Sequence, residues 1–184
     1  MLTNEEIIEG CIRKDRQAQR ALYEKYAPKM MSFCRRYSDH SQEAQDLLQD
    51  GFIKVFDSIA TLKNHSQLEG WMTRVFINLA LSRFRKRQSG PQFTDVEVAE
   101  TVSEEDEMID NQPLSLKEVM ACLQMVPEKY RMVLNMYAID GLSHREIAEW
   151  LQTTESNTKS MLSRARKMLK DIVEQNRKNN TGKQ

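Results

Sequence analysis

The stretch SHREIAEWLQTTESNTKSMLSRARKML, Ser143 to Leu169, decides the fold. Two helical patterns flank a short polar turn. Ile147, Ala148 and Leu151 recur at helical spacing in the first, and Met161, Leu162, Ala165, Met168 and Leu169 in the second. Ser143 and Glu146 have the spacing of a capping box, in which the serine oxygen accepts from a first-turn amide and the glutamate reaches back. Ala148 is small, as close approach of two helices requires. No acid occurs from Ser156 to Lys170, while Lys159, Arg164, Arg166, Lys167 and Lys170 are basic. This is the pattern of a helix-turn-helix whose second helix lies in the major groove of DNA. Its outward face is expected to hold Ser156, Asn157, Lys159, Ser160, Ser163, Arg164 and Lys167. Short hydroxyl and amide side chains there suit base edges or phosphates, and the cations displace condensed counterions. The turn, Gln152-Thr153-Thr154, lacks the Gly common in such motifs, which implies some backbone strain. The competing reading is a solvated basic face on a surface helix. The capping box, Ala148 and the acid-free run weigh against it.

The charge pattern along the rest of the chain supports a nucleic-acid partner. Formal net charge is zero over 184 residues, yet the charges are strongly partitioned. Residues 1–88 hold 15 Lys/Arg against 11 Asp/Glu, residues 89–112 hold none against 8, and residues 113–184 hold 12 against 8. Two basic units therefore flank an acidic segment, and local sign argues about partners better than the total does. That segment also loses helical periodicity and carries Pro91, with Pro113 just past its end, so it reads as a flexible linker. The polar tail 175–184 is expected to be frayed.

Elsewhere helical spacing dominates, and the fold class expected is all-α. Leu22, Tyr26, Met30 and Phe33 form one stripe, and Leu48, Phe52, Val55, Phe56 and Ile59 another. Trp71, Val75 and Leu79, joined by Met72 and Phe76, read as the buried face of a third helix. Ser66-x-x-Glu69 and Ser115-x-x-Glu118 repeat the capping-box spacing. Pro127 fits a helix start and Gly141 the position just past a helix end.

The helix from Ser66 to about Arg87 has a second face. Arg74, Asn78, Ser82 and Arg85 share a polar stripe, and Arg83, Lys86 and Arg87 add charge near its end. Such a face suits phosphate tracking, with Asn78 available to a base edge. Favourable charge at a helix C-terminus accounts for Arg85 to Arg87 but not for Arg74 and Asn78. In the preceding helix, Asp46, Gln49, Asp50 and Lys54 make a polar stripe open to two readings, a partner-docking surface or a solvated face.

Three motifs in this order resemble a known family, the sigma factors of bacterial RNA polymerase, and within it the small extracytoplasmic-function (ECF) group. The resemblance covers roughly residues 18–88 and 113–172. It implies a region 2 domain over 1–88, an acidic linker over 89–112 and a region 4 helix-turn-helix over 113–174. EAQDLLQDGFIKVFDSI, residues 43–59, resembles the segment of region 2 that docks on the polymerase clamp, which implies polymerase contacts at Asp46, Gln49, Asp50 and Phe52. LEGWMTRVFINLALSRFRKR, residues 68–87, resembles the part that melts and reads the −10 promoter element, with Arg74, Asn78, Arg83 and Arg85 on its polar face. The loop Thr61 to Gln67, with Lys63 and Asn64, corresponds to the family's pocket for an extruded non-template base. NTKSMLSRARKML, residues 157–169, resembles the −35 recognition helix, and Lys159, Ser160, Ser163, Arg164 and Arg166 match. The resemblance implies core RNA polymerase, promoter DNA and an anti-sigma protein as partners.

Two other classes of protein fit the sequence less well. A two-domain regulator that binds only duplex DNA predicts dimerisation and a palindromic site, and no long heptad seam is present. An enzyme needs clustered carboxylates, metal ligands or an activated nucleophile, and His40, His65 and His144 lie in unrelated segments. No cofactor or metal is expected. Cys11, Cys34 and Cys122 lack zinc or disulfide spacing and read as thiols of a reducing compartment. The acidic, polar start does not resemble a signal peptide, and no apolar run is long enough to span a bilayer. A cytoplasmic protein is therefore expected.

Overall fold

A computed structural model describes residues 2–87 and 115–181. The expected acidic linker lies outside the described residues. The chain divides into two units, residues 1–89 and 90–184. Both are helical, and no strand occurs among the described residues.

The N-terminal unit contains α1 (Asn4–Ile12), α2 (Arg16–Tyr37), α3 (Ser41–Ser58) and α4 (Leu68–Arg87), with short 3-10 turns at Ile59–Thr61 and His65–Gln67. Thr3 and Glu6 form a capping box at α1, and Asp15 and His40 cap α2 and α3 through their side chains. Leu22, Tyr26, Met30 and Phe33 are buried as their spacing predicts, together with Leu47, Leu48, Val55 and Ile59 of α3 and its 3-10 extension. Phe33, Phe52 and Phe76 meet edge to face, with ring centroids 5.9 and 5.8 Å apart. Such geometry adds roughly 0.5–1.5 kcal/mol per pair beyond the area buried. The core is closest-packed at Gly51, where a Cβ would collide with the Phe76 ring.

The start of α4 differs from the expected Ser66 box. Asn64 instead caps the preceding 3-10 turn, its Oδ1 accepting from the Ser66 amide at 3.0 Å and the Ser66 hydroxyl at 2.7 Å. Glu69 pairs with Lys29 of α2. The extra tight turn takes up the residues that a box would have used.

The C-terminal unit contains α5 (Leu116–Met125), α6 (Glu128–Leu134), a π-turn at Asn135–Ile139, α7 (His144–Leu151) and α8 (Glu155–Thr181). Ser115 with Glu118 and Ser143 with Glu146 form the capping boxes that their spacing predicts. Pro127 precedes α6, and Gly141 takes the positive φ of +73° needed to leave the π-turn. Arg131 is buried and donates to the Gln124 carbonyl at 3.0 Å, satisfying an orphan acceptor at the end of α5. Helix α8 continues to Thr181, past the point where the composition predicts fraying. Val173 is buried, and Asn176 Nδ2 donates to the Cys122 sulfur at 3.3 Å, so contact with α5 carries the helix onward.

All three thiols are buried. Burial pushes Cys34 up to about 12 and Cys11 up to about 11, far from the range of a reactive thiolate. Among the described residues no helix is long and apolar enough to cross a membrane.

The contact between α3 and α4 yields a test. Ala at position 51 gains roughly 1 kcal/mol of helix propensity, but overpacking a fully buried ring costs about 1–3 kcal/mol. Gly51→Ala is therefore expected to lower the urea midpoint of the N-terminal unit. Gly70→Ala, with no neighbour within 4 Å, is expected to raise it.

Candidate nucleic-acid interface

Helix α4 presents its polar stripe outward. Arg74, Asn78, Ser82 and Arg85 are all exposed. The buried face matches the expected one only at Met72 and Phe76. Leu68, Met72, Phe76, Ile77, Ala80, Leu81 and Phe84 form the core side, while Trp71, Val75 and Leu79 are half-buried. The buried stripe is thus shifted one residue, about 100° around the helix. Spacing alone cannot separate two adjacent apolar stripes, and packing on Gly51 selects the one containing Phe76. As a result a half-exposed Trp71-Val75-Leu79 row borders the Arg74-Asn78 row.

Arg83 departs from the polar stripe. Its guanidinium pairs with Asp50 of α3 and lies 3.4 Å from the Glu43 carbonyl, and its side chain is only 22% exposed. Arg87 pairs with Glu43. Two residues that the sequence assigned to different surfaces, Asp50 and Arg83, are therefore partners across the helix pair.

On α3, Asp46, Gln49, Asp50 and Lys54 are exposed. Phe52 is not on that surface. It is 3% exposed, its ring tilted against Tyr23 with centroids 4.7 Å apart and edge-on to Phe76. Ile53, 50% exposed, occupies the outward position one residue on. The one signal for it was an apolar residue within the polar stripe.

Lys63 and Asn64 are exposed in the loop before α4. This loop and residues 3–5 line a cleft of about 810 Å³. His65 faces Glu5 across it at 3.8 Å. The contribution of α1 to this cleft was not legible in the sequence.

In the C-terminal unit, Ile147, Ala148 and Leu151 of α7 pack inward, as do Met161, Leu162 and Ala165 of α8. Ser156, Lys159, Arg166 and Lys167 are exposed, and Ser160, Ser163 and Arg164 are half-exposed. Asn157 leaves the expected outward face. It is 7% exposed, and its Nδ2 donates to the Thr153 hydroxyl at 2.8 Å while its amide donates to the Thr154 hydroxyl at 3.1 Å. It holds the turn. Gln152 within that turn has φ +54°, the left-handed conformation that Gly would adopt without steric cost.

Two helical units, each with an exposed basic helix, match the family models for sigma-70 region 2 over residues 22–90 and sigma-70 region 4 over residues 116–169. The chain belongs to the sigma-70 family. It is similar to the RNA polymerase sigma-H factor of Pseudomonas aeruginosa, with 29% identity, covering 92% of this chain and 94% of that protein. It is also similar to the ECF RNA polymerase sigma-E factor of Escherichia coli, with 26% identity, covering 94% of this chain and 95% of that protein. Among solved structures, the sigma factor RpoE in complex with the anti-sigma factor NepR from Bartonella quintana superposes with a TM-score of 0.57 at 23% identity, covering 84% of this chain and 96% of that one. CnrH in complex with the cytosolic domain of CnrY gives 0.52 at 18% identity, over 91% of this chain and 95% of that one.

Helix α8 of this sigma factor is braced by contacts that the sequence did not single out. Thr158 is fully buried, and its hydroxyl donates to the Glu155 carbonyl at 2.8 Å. The His144 Nδ1 lies 3.1 Å from the same hydroxyl, within hydrogen-bond distance. Tyr137 stacks on the His144 ring, with centroids 4.5 Å apart, and the Arg166 guanidinium lies over the Tyr137 ring at 5.9 Å. Burial is the largest influence holding His144 below its ordinary 6.5, followed by Lys159, with Arg166 adding to it and Glu155 opposing.

The direction of that shift sets a pH dependence. The folded chain resists the proton that the unfolded chain accepts, so this contribution is fully present above pH 6.5. It is lost as pH falls through that value toward the lowered one. Amide exchange in α7 and the first turns of α8 is expected to speed up between pH 7.5 and 5.5 relative to intrinsic rates. His144→Gln is expected to flatten that response.

Proposed function

We propose that the two units of this promoter-directing sigma factor read separate promoter elements while α3 holds core RNA polymerase. The single observation carrying this reading is the pair of exposed basic helices, one in each unit, within the segments matched as region 2 and region 4. The polymerase-facing surface is Asp46, Gln49, Asp50 and Ile53. Phe52 and Arg83 support it from beneath, Phe52 by packing and Arg83 by pairing with Asp50.

Arg74, Asn78 and Arg85 contact the −10 region. The bordering Trp71 offers an aromatic face on which an unstacked base can lie, worth about 1–3 kcal/mol per base. The cleft beside Lys63 and Asn64 has the size of a small-molecule site and receives a flipped base. Asn64 Oδ1 is committed to Ser66, so its amide NH2 is the group offered to that base. In α8, Ser156, Lys159, Ser160, Ser163, Arg164, Arg166 and Lys167 contact the −35 duplex, and Asn157 shapes the turn that presents them.

Strand opening then requires no hydrolysis and no catalytic residue. Captured bases and neutralised phosphates offset unpairing, a cost of a few kcal/mol. An anti-sigma protein that covers these faces is the natural regulator, by likeness to the complex of RpoE with NepR. The site of action is the cytoplasm, where the polymerase and promoter are. A regulator that binds only duplex DNA has no use for the α3 surface or for a half-exposed tryptophan row.

Asp46→Arg is the cleaner probe of docking, because Asp50 also serves the fold through Arg83. It is expected to abolish co-elution with core polymerase while leaving the helical circular dichroism unchanged; wild-type co-elution would remove α3 from the docking surface. Arg164→Ala is expected to weaken binding of a promoter duplex by the holoenzyme about 5- to 100-fold, as loss of a bidentate base contact does. Unchanged affinity and salt slope would take Arg164 off the contact list.

A further inference from the structure

One contact chain in the C-terminal unit is absorbed by no motif. It runs from Thr158 at the start of α8 through His144 at the start of α7 to Tyr137 in the π-turn. It returns to α8 at Arg166, two turns beyond Thr158. Two segments, the start of α7 and the π-turn, are thereby tied to the reading helix at two heights. Tyr137 is 37% exposed, so its ring is not needed to fill the core. It stacks on His144 and has the Arg166 guanidinium 5.9 Å from its centroid.

We propose that Tyr137 is a positioning residue for DNA binding, its ring holding the Arg166 guanidinium in the orientation that meets the duplex. This rests on the reading of α8 as the duplex-contacting helix. A cation over an aromatic face is attracted by the ring quadrupole. That attraction leaves N–H donors of the guanidinium for phosphate or base oxygens. A free Arg on a helix surface loses rotamer freedom when it binds. One already laid on a ring has lost part of that freedom beforehand, so binding is less opposed. Tyr137 lies within the π-turn, whose wider backbone turn departs from ordinary helix geometry. The His144 Nδ1 bond to Thr158 then fixes the platform on which the ring rests.

Two measurements test the proposal on the full chain. The first needs no DNA. In the NMR spectrum of the free protein, the Arg166 Cδ protons are expected to be shifted upfield by the Tyr137 ring current, and Tyr137→Leu should abolish that shift. Unshifted Arg166 protons in the wild type would overturn the proposal by themselves.

The second uses a labelled 30-base-pair mixed-sequence duplex at low salt. Tyr137→Leu is expected to weaken binding about two- to fivefold, the equivalent of a surface cation–π contact. The slope of log affinity against log salt should stay unchanged, because the cation remains. Tyr137→Phe keeps the ring and is expected to keep wild-type affinity. Arg166→Ala is expected to weaken binding and flatten the slope by about 0.9, one phosphate contact. The double variant should bind no more weakly than Arg166→Ala alone. Additive losses, or wild-type affinity for Tyr137→Leu, would overturn the positioning role. If Arg164→Ala and Arg166→Ala both leave affinity and slope untouched, the assignment of α8 to duplex DNA fails, and the positioning role with it, whatever the ring-current result.

Discussion

The approach of α3 to α4 at Gly51 and Phe76 governs the N-terminal unit. Without a side chain at position 51, the Phe76 ring lies directly on the α3 backbone, and the two helices take a rotation that no bulkier residue permits. That rotation settles which residues face outward on both. It buries Phe52 with Phe76 and leaves Asp46, Gln49 and Ile53 on the open side of α3. It also turns Trp71 partly out and places Arg83 within reach of Asp50. The outward faces of both helices are thus set by one interhelical contact.

In the C-terminal unit the corresponding constraint is the turn between α7 and α8. Gln152 adopts a left-handed backbone at a cost of roughly 1 kcal/mol, and Asn157 with the hydroxyls of Thr153 and Thr154 offsets it by satisfying the polar groups of the turn. The turn is held by side-chain hydrogen bonds rather than by the permissiveness of glycine. Thr158 and His144 lock the next turn of helix in the same way. Helix α8 therefore leaves its turn in a defined direction.

Much of this was legible in the sequence, for identifiable reasons. The capping boxes at Ser115 and Ser143 formed because the signal is local and depends only on residues three apart. The inward faces of α2, α7 and the start of α8 followed from a single apolar stripe each. Legibility failed where two arrangements share the same spacing. Helix α4 carries adjacent apolar stripes, and choosing between them needs the partner helix. Phe52 and Asn157 were placed on surfaces by the company they keep in sequence, and tertiary contacts drew both inside. The Asp50–Arg83 pair and the cleft between α1 and the loop before α4 join residues tens of positions apart, which no local pattern encodes. The π-turn was invisible because nothing in Asn135 to Ile139 distinguishes it from ordinary helix.

The length of α8 carries one more implication. Its 27 residues make a rod of about 40 Å, braced through Thr158 and His144 near one end and tied to α5 through Asn176 near the other. A rod held at two distant points resists tilting, so the direction of its basic turns is fixed by the whole C-terminal unit and not by the short polar turn alone.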